Sequence, residues 1–302
     1  MPSSYGFRIR SSETLRFVRS GGGQEPLEIV RAAQPRQPPA VAPLSDWPVA
    51  GADPPPHATL YAVDRGFEFW VTDVGAYHID LEAGRIEIPA SEDEIQREQR
   101  LWGVPAALCY MHRGDLPLHA AAVELRSGAV LLAAPQRHGK TTLALAFHLH
   151  GYRVLSEDLA CCRVGATPTM LPGPALMRIR PDVYDGQPPP GTHIITTRPD
   201  RIFLGLNDDR RGTSAPVPLR GVVFLREAVD IRMERAPAPV TLADLWALNF
   251  RLQTDEGRAR SFRLLSSLIS TLPAWNLYRP LKMEALEQTV ARIVECFDGG
   301  QK

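Results

Sequence analysis

Residues 129–147, AVLLAAPQRHGKTTLALAF, constrain this chain more than any other stretch. The apolar run at the start reads as a buried strand. TTLALAFHLHG, behind the loop, reads as a helix. The run RVLS at 153–156 adds a second strand, so the stretch predicts a strand, tight loop, helix and strand in a βαβ-like arrangement.

The loop itself, Ala134-Pro135-Gln136-Arg137-His138-Gly139-Lys140-Thr141, fits the pattern of a phosphate-binding loop. Main-chain N–H groups of the loop and of the helix N-terminus can wrap phosphate oxygens. Gly139 lets the backbone approach, Lys140 offers a point charge to β- and γ-phosphates, and the Thr141 hydroxyl can enter a Mg²⁺ shell. Thr142 completes the expected contact set. Two positions depart from the usual composition. Ala134 stands where a first glycine is usual and restricts φ, and Pro135 removes one N–H. Arg137 and His138 offer charge or hydrogen bonds in return.

Short runs over 58–90, TLYAVD, FEFWV, AYHID and GRIEI, are separated by Asp-Arg-Gly, Asp-Val-Gly and Glu-Ala-Gly and predict small antiparallel strands. Before them, residues 20–56 are rich in Gly and Pro and read as a linker. Ser91 and Glu94 have capping-box spacing and predict a helix start, with a break or restart at Pro105. LHAAAVEL (118–125), AVLLAA and LACCRV read as buried strands, and PALMRIR and GVVFLRE as further ones. Three helices are expected in TLADLWALNFRL, with Thr241 and Asp244 cap-like, in GRARSFRLLSSLISTL and in MEALEQTVARIVECF.

Charge is balanced, 34 Lys+Arg against 34 Asp+Glu, so no basic surplus draws in nucleic acid or anionic lipid. Hydrophobic residues make up 44% of 302, enough to fill a core. Cys109, Cys161, Cys162 and Cys296 form no CxxC pair. Adjacent cysteines in a strand point to opposite faces, so buried reduced thiols are expected rather than a metal site. With no apolar leader and no membrane-length apolar run, the expectation is a cytoplasmic protein.

His119 lies 21 residues before Lys140, and Glu157-Asp158 begins 17 residues after it. Together, LHAAAVEL…GKTTLALAF…GYRVLSEDL resembles the HPr serine kinase/phosphorylase family, and most of all the HPr-kinase-like peptide-tailoring kinases, including the lasso-peptide kinases. In that family a His-small motif precedes the loop strand, and Gly-x-x-Leu-x-(Ser/Ala)-Asp-Asp follows the loop helix. Leu171-Pro172-Gly173-Pro174 and Pro218-Leu219 are similar to further family segments. The motifs span about residues 100–230.

The resemblance implies an α/β chain, α+β overall, with a P-loop kinase core of the HPr kinase/PEP carboxykinase type. The expected division is an N-terminal segment with linker (1–57), a small β-rich domain with its helix (58–112), the kinase core (113–235) and a C-terminal helical region (236–302). It further implies ATP and Mg²⁺ as cofactors. Asp158 would take the proton from an attacking hydroxyl, with His119 orienting that carboxylate or the γ-phosphate and Lys140 neutralising charge. Thr141, Glu157 and Asp158 would serve the metal, Glu157 standing where the family has its first Asp. For the family's later metal-binding glutamate, Asp182 or Asp185 are the candidates. Arg178 and Arg180 alternate on one strand face, where they either meet phosphate or an acidic substrate or are plain surface charge. The expected activity is transfer of phosphate from ATP to a serine hydroxyl of a protein or peptide, such as a ribosomally made precursor. The alternatives are a non-catalytic nucleotide-binding module in a biosynthetic complex and a small-molecule phosphotransferase. Nucleic acid and membrane are not expected partners, and self-association stays open.

Overall fold

The computed structural model describes residues 1–48, 57–72, 74–91, 93–183, 186–207 and 214–299. The chain is a mixed α+β protein with three sheets and six α-helices among the described residues.

The glycine-punctuated runs form an antiparallel meander of His57–Val63, Gly66–Val71, Gly75–Asp80 and Arg85–Ile88. This meander belongs to a nine-stranded sheet that extends into the N-terminal residues. Glu25–Arg31 pairs in parallel with both Phe7–Ser11 and Arg85–Ile88. The linker expected over 20–56 is therefore corrected in part. Glu25–Arg31 buries Leu27 and Ile29, and Ser45–Pro48 edges the sheet, while residues 49–56 lie outside the described set. Most of the glycines precede Glu25–Arg31 and most of the prolines follow it; Pro26 alone sits in that strand, near its start.

Helices α1 (Glu94–Leu101) and α2 (Val104–Arg113) pack on this sheet through Leu101, Ala107, Leu108 and Tyr110. Helix α1 starts later than the capping-box spacing implies. Asp93, not Ser91, is the cap, accepting from the Gln96 N–H at 2.9 Å. Pro105 sits in the first turn of α2, where its missing N–H costs nothing.

The central sheet runs Leu116–Leu118, Ala160–Arg163, Thr169–Leu171, Val217–Glu227, Ala129–Ala133, Ala120–Glu124 and Arg153–Ser156, with Ala274–Arg279 also parallel to Val217–Glu227. Its alternation is strict. Ala121, Val123, Val130 and Leu132 face helices α3 (Lys140–Leu149) and α6 (Leu286–Asp298), whereas Ala122, Leu131, Ala133 and Phe224 face α4 (Ala238–Leu248) and α5 (Asp255–Thr271). A sheet covered on both faces reads as continuous apolar runs, which is what 120–123 and 129–134 show. The strand after α3 does not return beside Ala129–Ala133. It lands beyond Ala120–Glu124, antiparallel to it, so the βαβ-like unit is split by one antiparallel strand.

Helix α4 begins at Ala238, one turn before the expected cap. Thr241 lies inside its first turn with Oγ1 donating to the Pro237 carbonyl, and Asp244 pairs with Arg226. Helix α5 is capped by Thr254, which accepts from the Gly257 N–H at 3.1 Å. Cys161 and Cys162 enter two different apolar cores, and burial pushes the Cys162 thiol up to about 12. No helix among the described residues is long and apolar enough to cross a membrane.

Near the Glu157-Asp158 turn the N-terminal sheet is pinned to the central one by a set of hydrogen bonds. Arg19 donates to the carbonyls of Gly173 (2.7 Å) and Val154 (2.8 Å), and Tyr5 N–H donates to Pro172 at 2.7 Å. The Tyr5 hydroxyl reaches the Leu159 carbonyl at 3.2 Å, and the Ser156 hydroxyl reaches the same carbonyl at 2.6 Å. Gly173 has no room for a side chain, because a Cβ there would stand 2.6 Å from the Tyr5 ring. These contacts fix the turn that carries Glu157 and Asp158.

Candidate functional site

Strand Ala129–Ala133 ends at a loop that turns into α3 at Lys140. The left-handed conformation falls at Arg137 (φ 65°) and Gly139 (φ 73°), not at Ala134, so alanine in place of the first glycine meets no positive-φ requirement. The loop's carbonyls are held from both flanks. The Lys140 ammonium donates to Ala134 O (2.7 Å) and Pro135 O (3.1 Å), the His138 ring Nδ1 lies 2.9 Å from Gln136 O, and Arg279 donates to His138 O (3.0 Å) and Gly139 O (3.4 Å). With the carbonyls so engaged, the N–H groups of Gly139, Lys140 and Thr141 have no hydrogen-bond acceptor among the described residues. This is an anion-ready set of donors. Arg137 is exposed, and Thr142 sits in the first turn of α3 outside these contacts.

His119 occupies the break between Leu116–Leu118 and Ala120–Glu124, where the chain leaves one neighbouring strand for another. Its N–H donates to Leu248 O at 2.8 Å, and Asn249 Nδ2 holds Pro117 O at 2.7 Å, so the end of α4 sets this bend. The imidazole links two groups from distant elements. Nε2 is 3.1 Å from the Lys140 ammonium and Nδ1 is 3.2 Å from Asp158 Oδ1. Lysine can only donate, which makes Nε2 the acceptor and leaves the proton on Nδ1. Burial, opposed by Asp158 and helped by Lys140 and Arg178, lowers the His119 pKa and favours this neutral form.

Glu157 and Asp158 follow strand Arg153–Ser156 directly. Glu157 is buried; its Oε1 accepts from the Thr141 hydroxyl at 2.8 Å and its Oε2 from Arg178 Nε at 3.0 Å. Asp158, with its side chain 44% exposed, pairs Oδ2 with Arg178 Nη2 at 2.8 Å. One guanidinium thus serves two carboxylates. Burial drives the Glu157 carboxyl above its ordinary range. For Asp158 burial acts the same way, but Arg178, His119 and Lys140 together outweigh it and hold the carboxyl low. The surrounding cations therefore favour the ionised form most strongly at the more open acid, Asp158.

The structure thus brings His119, Lys140, Thr141, Glu157 and Asp158 into one connected cluster. It separates Arg178 from Arg180. Arg178 meets the chain's own acids, while Arg180, beyond the strand end, pairs with exposed Asp182 at 2.7 Å. Asp182 sits in a short 3₁₀ turn with that partner, and Asp185 lies outside the described residues. No group of three or more His, Cys, Asp or Glu side chains converges on a metal position among the described residues. Sequence reading did not find Arg279 or Tyr5. Neither carries a motif, and both act from ends of the chain that only folding brings to the site.

No protein-family model and no curated protein matches the sequence. Among solved structures, the HPr(Ser) kinase/phosphatase from Coxiella burnetii matches over 61% of this chain and 99% of its own length, at 13% identity and a TM-score of 0.32. A likeness that slight leaves the functional reading to the site's own geometry.

Proposed function

We propose that this chain is an ATP-dependent phosphotransferase acting on a serine hydroxyl of a protein or peptide. The observation that carries the reading is the His119 bridge. One imidazole connects the cation of an anion-ready loop to a half-exposed, ionised carboxylate. Phosphoryl transfer needs these two things side by side, a positive cradle for the polyphosphate and an acceptor for the hydroxyl proton.

In this reading, Lys140 and the free N–H groups bind and orient the β- and γ-phosphates. Asp158 takes the proton as the hydroxyl oxygen bonds to phosphorus and the bond to the bridging oxygen of ADP breaks. His119, through Nδ1–H, holds Asp158 Oδ1 in place. A carboxylate held low by Arg178 is a weak base, and positioning carries most of the effect. Thr141, backed by Glu157, suits Mg²⁺, which keeps water and phosphate oxygens in its shell and asks for few protein ligands. When bound, such an ion would neutralise charge developing on the transferred group.

The test is transfer of labelled phosphate from ATP to serine-containing peptides by the pure protein. Asp158→Asn should lower transfer by about 10²–10⁴-fold and keep nucleotide binding; equal transfer by parent and variant overturns the base assignment. The grip of Arg178 on both carboxylates favours one competitor, a nucleotide-binding module without turnover. Tight ATP binding with no transfer to any acceptor would select it.

A further inference from the structure

Arg279 ends strand Ala274–Arg279, which runs parallel to Val217–Glu227, itself parallel to Ala129–Ala133. The carboxyl ends of these strands open on the same edge, the place where parallel sheets receive ligands. The Arg279 side chain is nevertheless only 2% exposed. Nη2 donates to His138 O and Gly139 O, Nη1 to Pro280 O at 3.3 Å, and buried Nε has no hydrogen-bond partner. No carboxylate among the described residues pairs with it. Glu227, its register partner, points to solvent and makes no ion pair with it. Burial alone lowers its pKa, with no acid acting in return.

A buried cation without a counter-ion is costly, by several kcal/mol in general. Three carbonyl dipoles offset part of that and leave two of the five N–H bonds unmet, the buried Nε–H among them. The other buried arginines illustrate the contrast, Arg97 pairing with Glu13 and Arg19 spending its guanidinium on carbonyls that join two sheets. Arg279 joins no sheets. It lies against a loop whose N–H groups at Gly139, Lys140 and Thr141 also have no acceptor among the described residues, and an anion at that loop would answer both. Gly139 is fixed by the same contact, since a Cβ there would stand 2.6 Å from Arg279 Nη2.

We propose that Arg279 is a polyphosphate-binding residue. It turns the His138 and Gly139 carbonyls away from the anion and adds a second positive charge beside Lys140. The identity of the anion as a nucleoside polyphosphate rests on the phosphotransferase reading; the charge deficit at the loop does not.

The experiment is titration calorimetry of the full chain with sodium tripolyphosphate, ATP and AMP, for the parent, Arg279→Met and Arg279→Lys, with melting curves of each free protein. The expected result is that Arg279→Met weakens tripolyphosphate and ATP by about 10–100-fold, as loss of a charge-assisted contact does. AMP affinity should be unchanged, the free protein should melt at or above the parent temperature, and Arg279→Lys should recover part of the loss. Parent-like tripolyphosphate affinity in Arg279→Met overturns the proposal. So does a lowered melting temperature with ATP and AMP weakened equally, which would make Arg279 a structural clamp only. If the parent binds tripolyphosphate but not ATP, the nucleotide reading fails and Arg279 stands. If the parent binds ATP and Arg279→Met matches it, Arg279 alone fails. A parent that binds neither sinks both.

Discussion

The two halves of the site handle charge in opposite ways. On the loop side, Lys140 and Arg279 direct most of their donors at main-chain carbonyls, and among the described residues Arg279 has no acid partner and three N–H groups have no acceptor. On the acid side every charge is answered. Arg178 bridges Glu157 and Asp158, Thr141 caps Glu157, and His119 closes the ring. In the proposed reading, the unanswered positive loop takes up an anion, and the compensated acid pair stays put while a proton moves. Function at such a site requires both, and the difference says that substitutions on the two sides should fail in different ways.

The largest effect should come from the acid side. Asp158→Asn should lower transfer by about 10²–10⁴-fold, the range for a lost general base, with ATP affinity unchanged. Calorimetry alongside a transfer assay separates the two, and a parallel loss of affinity would erase the division between the halves. Next, Lys140→Met should weaken both ATP binding and transfer, the latter by about 10²–10³-fold. If only transfer falls, the loop is not the anion site. Arg178→Gln removes the shared counter-charge and should lower stability by about 3 kcal/mol, at the low end for breaking a buried pair because Asp158 reaches solvent. Urea unfolding measures this, and an unchanged midpoint would show the acid side is not held by that arginine.

A finer test concerns His119. Its lowered pKa means that the unfolded chain takes up a proton at a pH where the folded chain does not. Stability should therefore rise with pH between the lowered value and the ordinary histidine value, and the ring should titrate below about 6.5. Nitrogen-15 NMR should show the neutral Nδ1–H form at pH 7. An imidazolium there would contradict the Lys140 contact. The smallest effect lies outside both halves. Thr254→Ala, which removes the α5 cap, should cost about 1 kcal/mol and leave binding and transfer alone.

The central sheet was legible because both its faces are covered, so its strands read as unbroken apolar runs such as AAAV and AVLLA. Helix starts were less so. Asp93 caps α1 where Ser91 is the expected cap, because two residues with the right chemistry stand within one turn and tertiary packing picks between them; α4 starts at Ala238 behind Pro237, with no side-chain cap, where Thr241 is the expected one. The strand Glu25–Arg31 was hidden by the glycines and prolines around it, and its parallel partners are remote in sequence. Within the site, the residues tied to the loop by spacing, His119, Glu157 and Asp158, could be read, and they converge. Arg178 was visible only as one of two alternating arginines. Arg279, at the end of the last strand, left no local signal, because its meaning lies in a contact with residues 138 and 139 that the chain makes only on folding.

The most direct test is calorimetry of Mg-ATP binding to the parent and to Lys140→Ala at equal salt. The account predicts saturable uptake at one site per chain by the parent and a large loss in the variant. No uptake by the parent, or the same isotherm from both proteins, would contradict it.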